Sequence, residues 1–263
     1  MRILTIPDIH LKPWIIDAAE KVAEAECPDK IVFLGDLVDD FGCKNKPDAY
    51  IKTVDTAIAF FRKYPESYLC LGNHEASYLW DRETNATAYR ARKVAKAQCY
   101  RLARERILQE RFRVAFLFDG VIFSHAGISS AFVRAYVGDP DTLSAERIVR
   151  KINQLGVDEL WQYGSPIWYR PTFIAGWDEL YGDNKILQVT GHTPMETIKQ
   201  ENNLVCCDTF STYHDHKPVG DQTFCLVDTE TQTWKAVPTC GMDLAMRNVK
   251  RGKASEPIDL SDL

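Results

Sequence analysis

No stretch of the 263-residue chain is apolar for long enough to span a bilayer, so no membrane-spanning helix is expected. Basic residues are not in excess. Lys and Arg number 32 against 37 Asp and Glu, for a net charge of −5. That balance argues against general affinity for nucleic acid or anionic lipid, because neither attracts a net acidic surface. An anionic substrate would have to be drawn in by local positive charge. The CxxC spacing is missing from the eight cysteines, which removes zinc-ribbon and thioredoxin-type readings. The only close pair is Cys206-Cys207, and adjacent residues of a strand point to opposite faces. The cysteines are read as reduced thiols of a cytoplasmic protein. No leader is expected, since Met1 to Ile6 runs straight into strand-like sequence. Repeats, low-complexity tracts and clear linkers are also missing. The expected organisation is one domain over 1–238 and a charged tail over 239–263.

What is present alternates short apolar runs with amphipathic helical patterns. Residues 3–6 form a β-rich run that ends at Pro7-Asp8-Ile9-His10. Pro13 opens a helix over 14–26, with Ile15, Ile16, Ala19 and Val22 on one face, and Cys27-Pro28 stops it. A second run, 31–34, leads into Gly35-Asp36, with Asp39 and Asp40 close behind. Strand, helix, strand at this spacing suits a parallel βαβ unit. A helix is expected over 48–61 and a third strand over 67–71, which ends at Gly72-Asn73-His74-Glu75. Residues 86–110 read as one long helix, whose Arg and Lys make a solvated basic face. A hairpin over 112–118 and 121–124 turns at Asp119-Gly120 and runs into His125. A helical, aromatic segment follows over 144–161, and then Trp168-Tyr169-Arg170. The strand over 186–190 ends at Gly191-His192-Thr193-Pro194, and antiparallel strands are expected over 204–208, 222–227 and 233–237. His214 and His216 fall in a polar stretch, 212–220, read as a solvated loop.

Five strand ends carry a metal-capable residue: Asp8 with His10, Asp36, Asn73 with His74, His125, and His192. One strand-end Asp or His usually caps a turn or satisfies a local hydrogen bond. Five in the same placement point to one site, because neighbouring strands bring their ends together. Carboxylate with imidazole suits zinc, manganese, iron or nickel.

These motifs, in this order, resemble the signature set of calcineurin-like metallophosphoesterases, most closely the bacterial and phage Ser/Thr phosphoprotein phosphatases and symmetrical dinucleoside tetraphosphatases. The resemblance implies an α/β (α+β) four-layer fold, a central β-sandwich of two mixed sheets flanked by helices. It implies that Asp8, His10 and Asp36 hold one divalent metal and that Asp36, Asn73, His125 and His192 hold the second, with Asp36 bridging. Two such ions, most readily Mn2+ (with Fe, Zn, Ni or Co as alternatives), would clamp a phosphoryl oxygen and supply the attacking hydroxide. His74 is then the general acid, Asp39 orients it, and Arg170, with Asn73, binds the phosphoryl group. The expected activity is hydrolysis of phosphomonoesters, phosphoproteins included. Hydrolysis of nucleotides, dinucleoside polyphosphates or phosphodiesters is the alternative, and an inactive binding module the third. The expected partner is thus a phosphorylated substrate, without membrane or generic nucleic-acid binding.

One position departs from the resemblance. Where those phosphatases usually carry an Arg, this chain has Asp40. A carboxylate facing the substrate there would repel each phosphate charge by up to about 4 kcal/mol at an effective dielectric near 20. Asp40 is therefore expected to point away or to be matched by another cation.

Overall fold

The computed structural model describes residues 1–170, 180–182, 185–213, 215 and 217–239. Its layering follows from which strand faces are apolar. In β1 (Arg2–Ile6), Leu4 and Ile6 face one way and Ile3 the other. In β2 (Lys30–Phe33), Ile31 and Phe33 share the first face and Val32 takes the second. A sheet that is apolar on both faces must be covered on both.

On one side the cover is helical. α1 (Trp14–Glu26) contributes Ile15, Ile16, Ala19 and Val22, and α2 (Pro47–Lys63) contributes Tyr50, Val54, Ile58 and Phe61. α1 ends where Cys27 turns left-handed at φ 47, ahead of Pro28. Strand β3 (Ser67–Cys70) leads into α3 (Asn73–Leu79), and α4 (Arg92–Ala103) completes the layer. On the other side the cover is a second sheet. Its strands include β6 (Val121–Ser124), β7 (Leu187–Thr190) and β9 (Leu204–Cys206). Val121, Phe123, Val189 and Val205 pack there against Ile3, Val32 and Cys70. The outer face of the second sheet, with Ile122, lies under α5 (Ser130–Tyr136), α6 (Ala145–Ile152) and α7 (Val157–Leu160). The result is the expected helix–sheet–sheet–helix sandwich.

Both sheets are mixed. The first sheet runs β11–β10–β1–β2–β3–β4, with β1 to β4 (Phe112–Arg113) parallel and β10 (Thr223–Asp228) and β11 (Thr233–Pro238) antiparallel. The second runs β5–β6–β7–β9–β8, with β6, β7 and β9 parallel, and β5 (Ala115–Phe118) and β8 (Lys199–Glu201) at its edges.

Some expected boundaries give way to tertiary contacts. The single strand over 112–118 is two strands in different sheets: β4 (Phe112–Arg113) pairs with β3, and β5 (Ala115–Phe118) with β6. Asn153, just beyond α6, closes the break. Its Oδ1 accepts from the Val114 and Ala115 N–H groups at 2.9 and 3.0 Å, and its Nδ2 donates to the Ala115 carbonyl at 2.8 Å. The long helix over 86–110 is shorter than its pattern, since only α4 and a 3-10 turn (Arg106–Leu108) are helical. Asn45 Oδ1 accepts from the Tyr89 and Arg90 N–H groups and keeps that stretch a loop. The basic side chains of α4 are paired as expected of a solvated face: Lys96 with Asp81, Arg101 with Asp55. The segment over 144–161 divides into α6 and α7, and α3, α5 and β8 had no clear local signal. Residues 240–263 of the expected tail, and His214 and His216, lie outside the described residues. Among the described residues no helix is long and apolar enough to cross a membrane.

Candidate active site

Parallel strands put like ends together. β1, β2 and β3 lead within three residues to Asp8, Asp36 and Asn73, and β6 and β7 lead to His125 and His192, all on one edge of the sandwich. Direct bonds join the sheets there. His125 Nδ1 donates to the Leu34 carbonyl at 2.8 Å, and the His192 N–H donates to Asp8 Oδ1 at 3.0 Å. The backbone approaches so closely that a Cβ on Gly72 would lie 2.1 Å from Asp36 Oδ1, and one on Gly191 2.1 Å from Asp8 Oδ1. His10, Asp36, Asp39 and His192 all have left-handed φ, at 46, 51, 63 and 61°. Such conformations cost on the order of 1 kcal/mol or more each and persist only where surrounding contacts impose them.

Glu75 is one source of that constraint. Its buried carboxylate accepts the N–H groups of Asp36, Leu37 and Val38 at 2.9, 2.7 and 3.2 Å, clamping the turn that projects Asp36. Burial and the neighbouring Asp36 charge push the Glu75 carboxyl up to about 7. Asp39 is clamped in turn. Its Oδ1 accepts the hydroxyls of Tyr50 at 2.5 Å and Tyr78 at 2.6 Å, and its Oδ2 lies 2.8 Å from His74 Nδ1.

These bonds set which imidazole nitrogen faces the centre. His10 Nδ1 lies 2.8 Å from the Asp39 carbonyl and must donate to it, as His125 Nδ1 does to Leu34, which leaves both Nε2 atoms to face inward. His125 Nε2 lies 2.9 Å from Asn73 Oδ1, 3.0 Å from His192 Nδ1 and 3.2 Å from Asp36 Oδ2. His10 Nε2 lies 3.6 Å from Asp8 Oδ2, and His74 Nε2 lies 3.8 Å from Asp36 Oδ2. Among the described residues two candidate metal-holding groups emerge, His10–Asp36–His74 and Asp36–His125–His192, with Asp36 common to both. His74 is thus within reach of the first group, although its Nδ1 is committed to Asp39.

The electrostatics suit cations. Asp8, Asp36, Asp39, Glu75 and Asp208 are all buried at this end of the sandwich. Carboxylates held this close in a low-dielectric interior require compensating positive charge. Burial opposes ionisation of Asp36, yet the charges of His125 and His74 hold its carboxyl well below the usual range. Burial lowers His125, but Asp36 and Asp8 outweigh it and bring it up to about 9. His192 goes the other way. Burial, with the charges of His125 and Arg170, keeps it well below its ordinary value and neutral, as a ligand must be. Hard oxygen and imidazole donors converging on a shared carboxylate fit a pair of divalent ions.

A cavity of about 320 Å³ opens over this cluster, lined by Asp8, His10, Asp36, Asn73, His74 and Arg170 among others. Arg170 Nη1 donates to the His192 carbonyl at 2.6 Å, which fixes the guanidinium beside the cluster. Asp40 does not point away. It lines the cavity, and Lys12 Nζ lies 3.2 Å from its Oδ2. Every residue expected at the site is therefore brought together. Lys12, Tyr50, Glu75, Tyr78 and Asp208 were missed. Glu75 alone had a local signal, as the last member of Gly72-Asn73-His74-Glu75.

A family model for the calcineurin-like phosphoesterases matches residues 1–220. No curated protein sequence matches the chain. Among solved structures, it is similar to a protein serine/threonine phosphatase from Saccharomyces cerevisiae that has similarity to human phosphatase PP5. There, identity is 12%, coverage is 90% of this chain and 80% of the other, and the TM-score is 0.49. A metallophosphoesterase from Sphaerobacter thermophilus gives 14% identity, coverage of 90% and 88%, and a TM-score of 0.40. An archaeal phosphodiesterase gives 13%, 90% and 99%, and 0.39. With most of its length matched by that family model, and with metal-capable groups gathered at the expected strand ends, the chain belongs to the calcineurin-like phosphoesterase family and is a metal-dependent phosphoester hydrolase.

Proposed function

We propose that the chain hydrolyses phosphomonoesters, phosphoproteins among them, with manganese as the working metal. The observation that carries this reading is the Asp39–His74 pair, whose Nδ1 side is tied down at 2.8 Å while Nε2 faces the donor cluster. In this reading Asp8, His10 and Asp36 hold one ion, and Asp36, Asn73, His125 and His192 hold the other. When bound, the ions supply Lewis acidity toward a phosphoryl oxygen and hydroxide at neutral pH.

The chain's own side chains do the rest. Arg170, anchored chiefly by Nη1 on the His192 carbonyl, turns the N–H groups it has left to the non-bridging oxygens. Burial lowers His74, but Asp36 and the Asp39 hydrogen bond overcome it and bring the imidazole up to about 9, so a proton is held at neutral pH. Nε2 gives that proton to the leaving alkoxide oxygen as the ester bond breaks, and Asp39 stabilises the imidazolium beforehand. The Arg170 guanidinium favours a monoester, because a dianionic terminal phosphate gains more from it than a singly charged diester does.

With manganese, the purified protein is expected to turn over p-nitrophenyl phosphate and to lose that activity to chelator. A panel of monoester, diester, phosphopeptide and dinucleoside tetraphosphate then ranks the substrates, and a faster diester would overturn the monoester assignment. No turnover with any divalent metal would leave the chain as a binding module. His74→Asn is expected to retain metal and lose most of the rate; loss of metal instead would make His74 a ligand.

A further inference from the structure

Lys12 lines the same cavity as the donor cluster, two residues beyond His10. Its side chain is only 13% exposed. Its ion pair with Asp40, at 3.2 Å, engages at most one of the ammonium's three donors, and no other partner meets them among the described residues. Three N–H donors on a buried ammonium are costly to leave unmade. Asp40 is itself fixed, since the Gly42 N–H donates to its Oδ1 at 2.9 Å. Asp40 thus holds Lys12 in place while leaving at least two of its donors unmade. The left-handed φ of Leu11, at 56°, next to His10 at 46°, belongs to the same turn that brings Lys12 beside the cluster.

Resting on the phosphomonoesterase reading, we infer that Lys12 is a substrate-binding residue that donates to the phosphoryl oxygens, and that Asp40 positions it. Arg170 comes from the segment ahead of β7 and Lys12 from the segment behind β1, so the two cations reach the phosphoryl group from different sheets. Asp40 neutralises Lys12 while the cavity is empty of anion, and a phosphate dianion takes up the unmade bonds. A compact ammonium contributes charge here, where Arg170 contributes a planar fork.

The test uses the full chain with manganese, inorganic phosphate as the titrated probe and p-nitrophenyl phosphate as substrate. Lys12→Gln is expected to weaken phosphate binding about tenfold and to raise KM alike, with kcat within about threefold, the scale of one lost charge-assisted bond. Lys12→Arg should restore most of the binding, and Lys63→Met, a surface lysine paired with Glu20 and Glu24, should leave it unchanged. Phosphate affinity and KM within twofold of wild type in Lys12→Gln would overturn the assignment, as would equal losses in Lys12→Arg and Lys12→Gln. If Lys12→Gln does not fold, Asp40→Asn decides. Releasing the ammonium should tighten phosphate at least threefold, and unchanged or weaker binding overturns the inference. A wild type that neither binds phosphate nor turns over a monoester sinks the underlying reading, whereas an active wild type with a silent Lys12 sinks this inference alone.

Discussion

Replacing Asp39 by Asn removes one charge and one acceptor at a position that is 1% exposed. The Tyr50 and Tyr78 hydroxyls converge on Oδ1 at 2.5 and 2.6 Å, so the amide oxygen takes that place and the amide N–H groups turn toward His74 Nδ1. Nδ1–H of the imidazolium then meets another donor. A hydrogen bond to a charged group is worth about 1.5–3 kcal/mol, and 1.36 kcal/mol corresponds to one pKa unit. His74, now at about 9, should therefore fall by about 1–2 units. The basic limb of the kcat/KM profile moves to lower pH by the same amount, and phenyl phosphate, with its poorer leaving group, loses more rate than p-nitrophenyl phosphate. Stability gives a second readout in metal-free protein. A histidine raised in the fold above its ordinary 6.5 stabilises fully below pH 6.5 and loses that contribution as pH rises toward 9, up to about 3 kcal/mol in all. Part of that decline should vanish in Asp39→Asn. A basic limb unmoved within about 0.3 unit would refute the claim that Asp39 sets the proton on His74.

Two further outcomes follow from the clamp and the donor cluster. Glu75→Gln replaces one of the oxygens that receive the N–H groups of Asp36, Leu37 and Val38, and should cost about 2 kcal/mol. Calorimetry should show Tm lower by about 4–8 °C together with weaker manganese binding, and an unchanged Tm would show that the turn holds without Glu75. Manganese at about 100 times its Kd should stabilise the protein by about 2.7 kcal/mol per site, and chelator should reverse it. A Tm indifferent to both would argue that the clustered donors hold no ion.

Particular residues show how much the sequence carried. Asp8, Asp36, Asn73, His125 and His192 each follow a short apolar run, and that placement is a local pattern. Since parallel strands align their ends, five such residues imply a cluster before any coordinates are known. The alternation of Leu4 and Ile6 with Ile3 is local too, and it requires two covered sheet faces. The helix over about 14–26 was legible because Pro13 and Cys27-Pro28 punctuate it.

Packing between distant elements accounts for the rest, and each case is a contact between residues far apart in sequence. Strand identity over 112–118 depended on Asn153, a side chain about 40 positions away. The Tyr50 and Tyr78 hydroxyls on Asp39 look, in sequence, like ordinary buried aromatics of helical faces. Asp40 read as a misplaced charge until Lys12, 28 positions earlier, was found 3.2 Å from it. Local periodicity fixes which residues point inward, because φ/ψ preferences and side-chain period act over a few residues. Which partner an inward polar group meets is set by how separate elements pack, and no local rule contains it. The strand ends therefore determined the chemistry, while the contacts around Lys12, Asp39 and Glu75 determined how that chemistry is held and aimed.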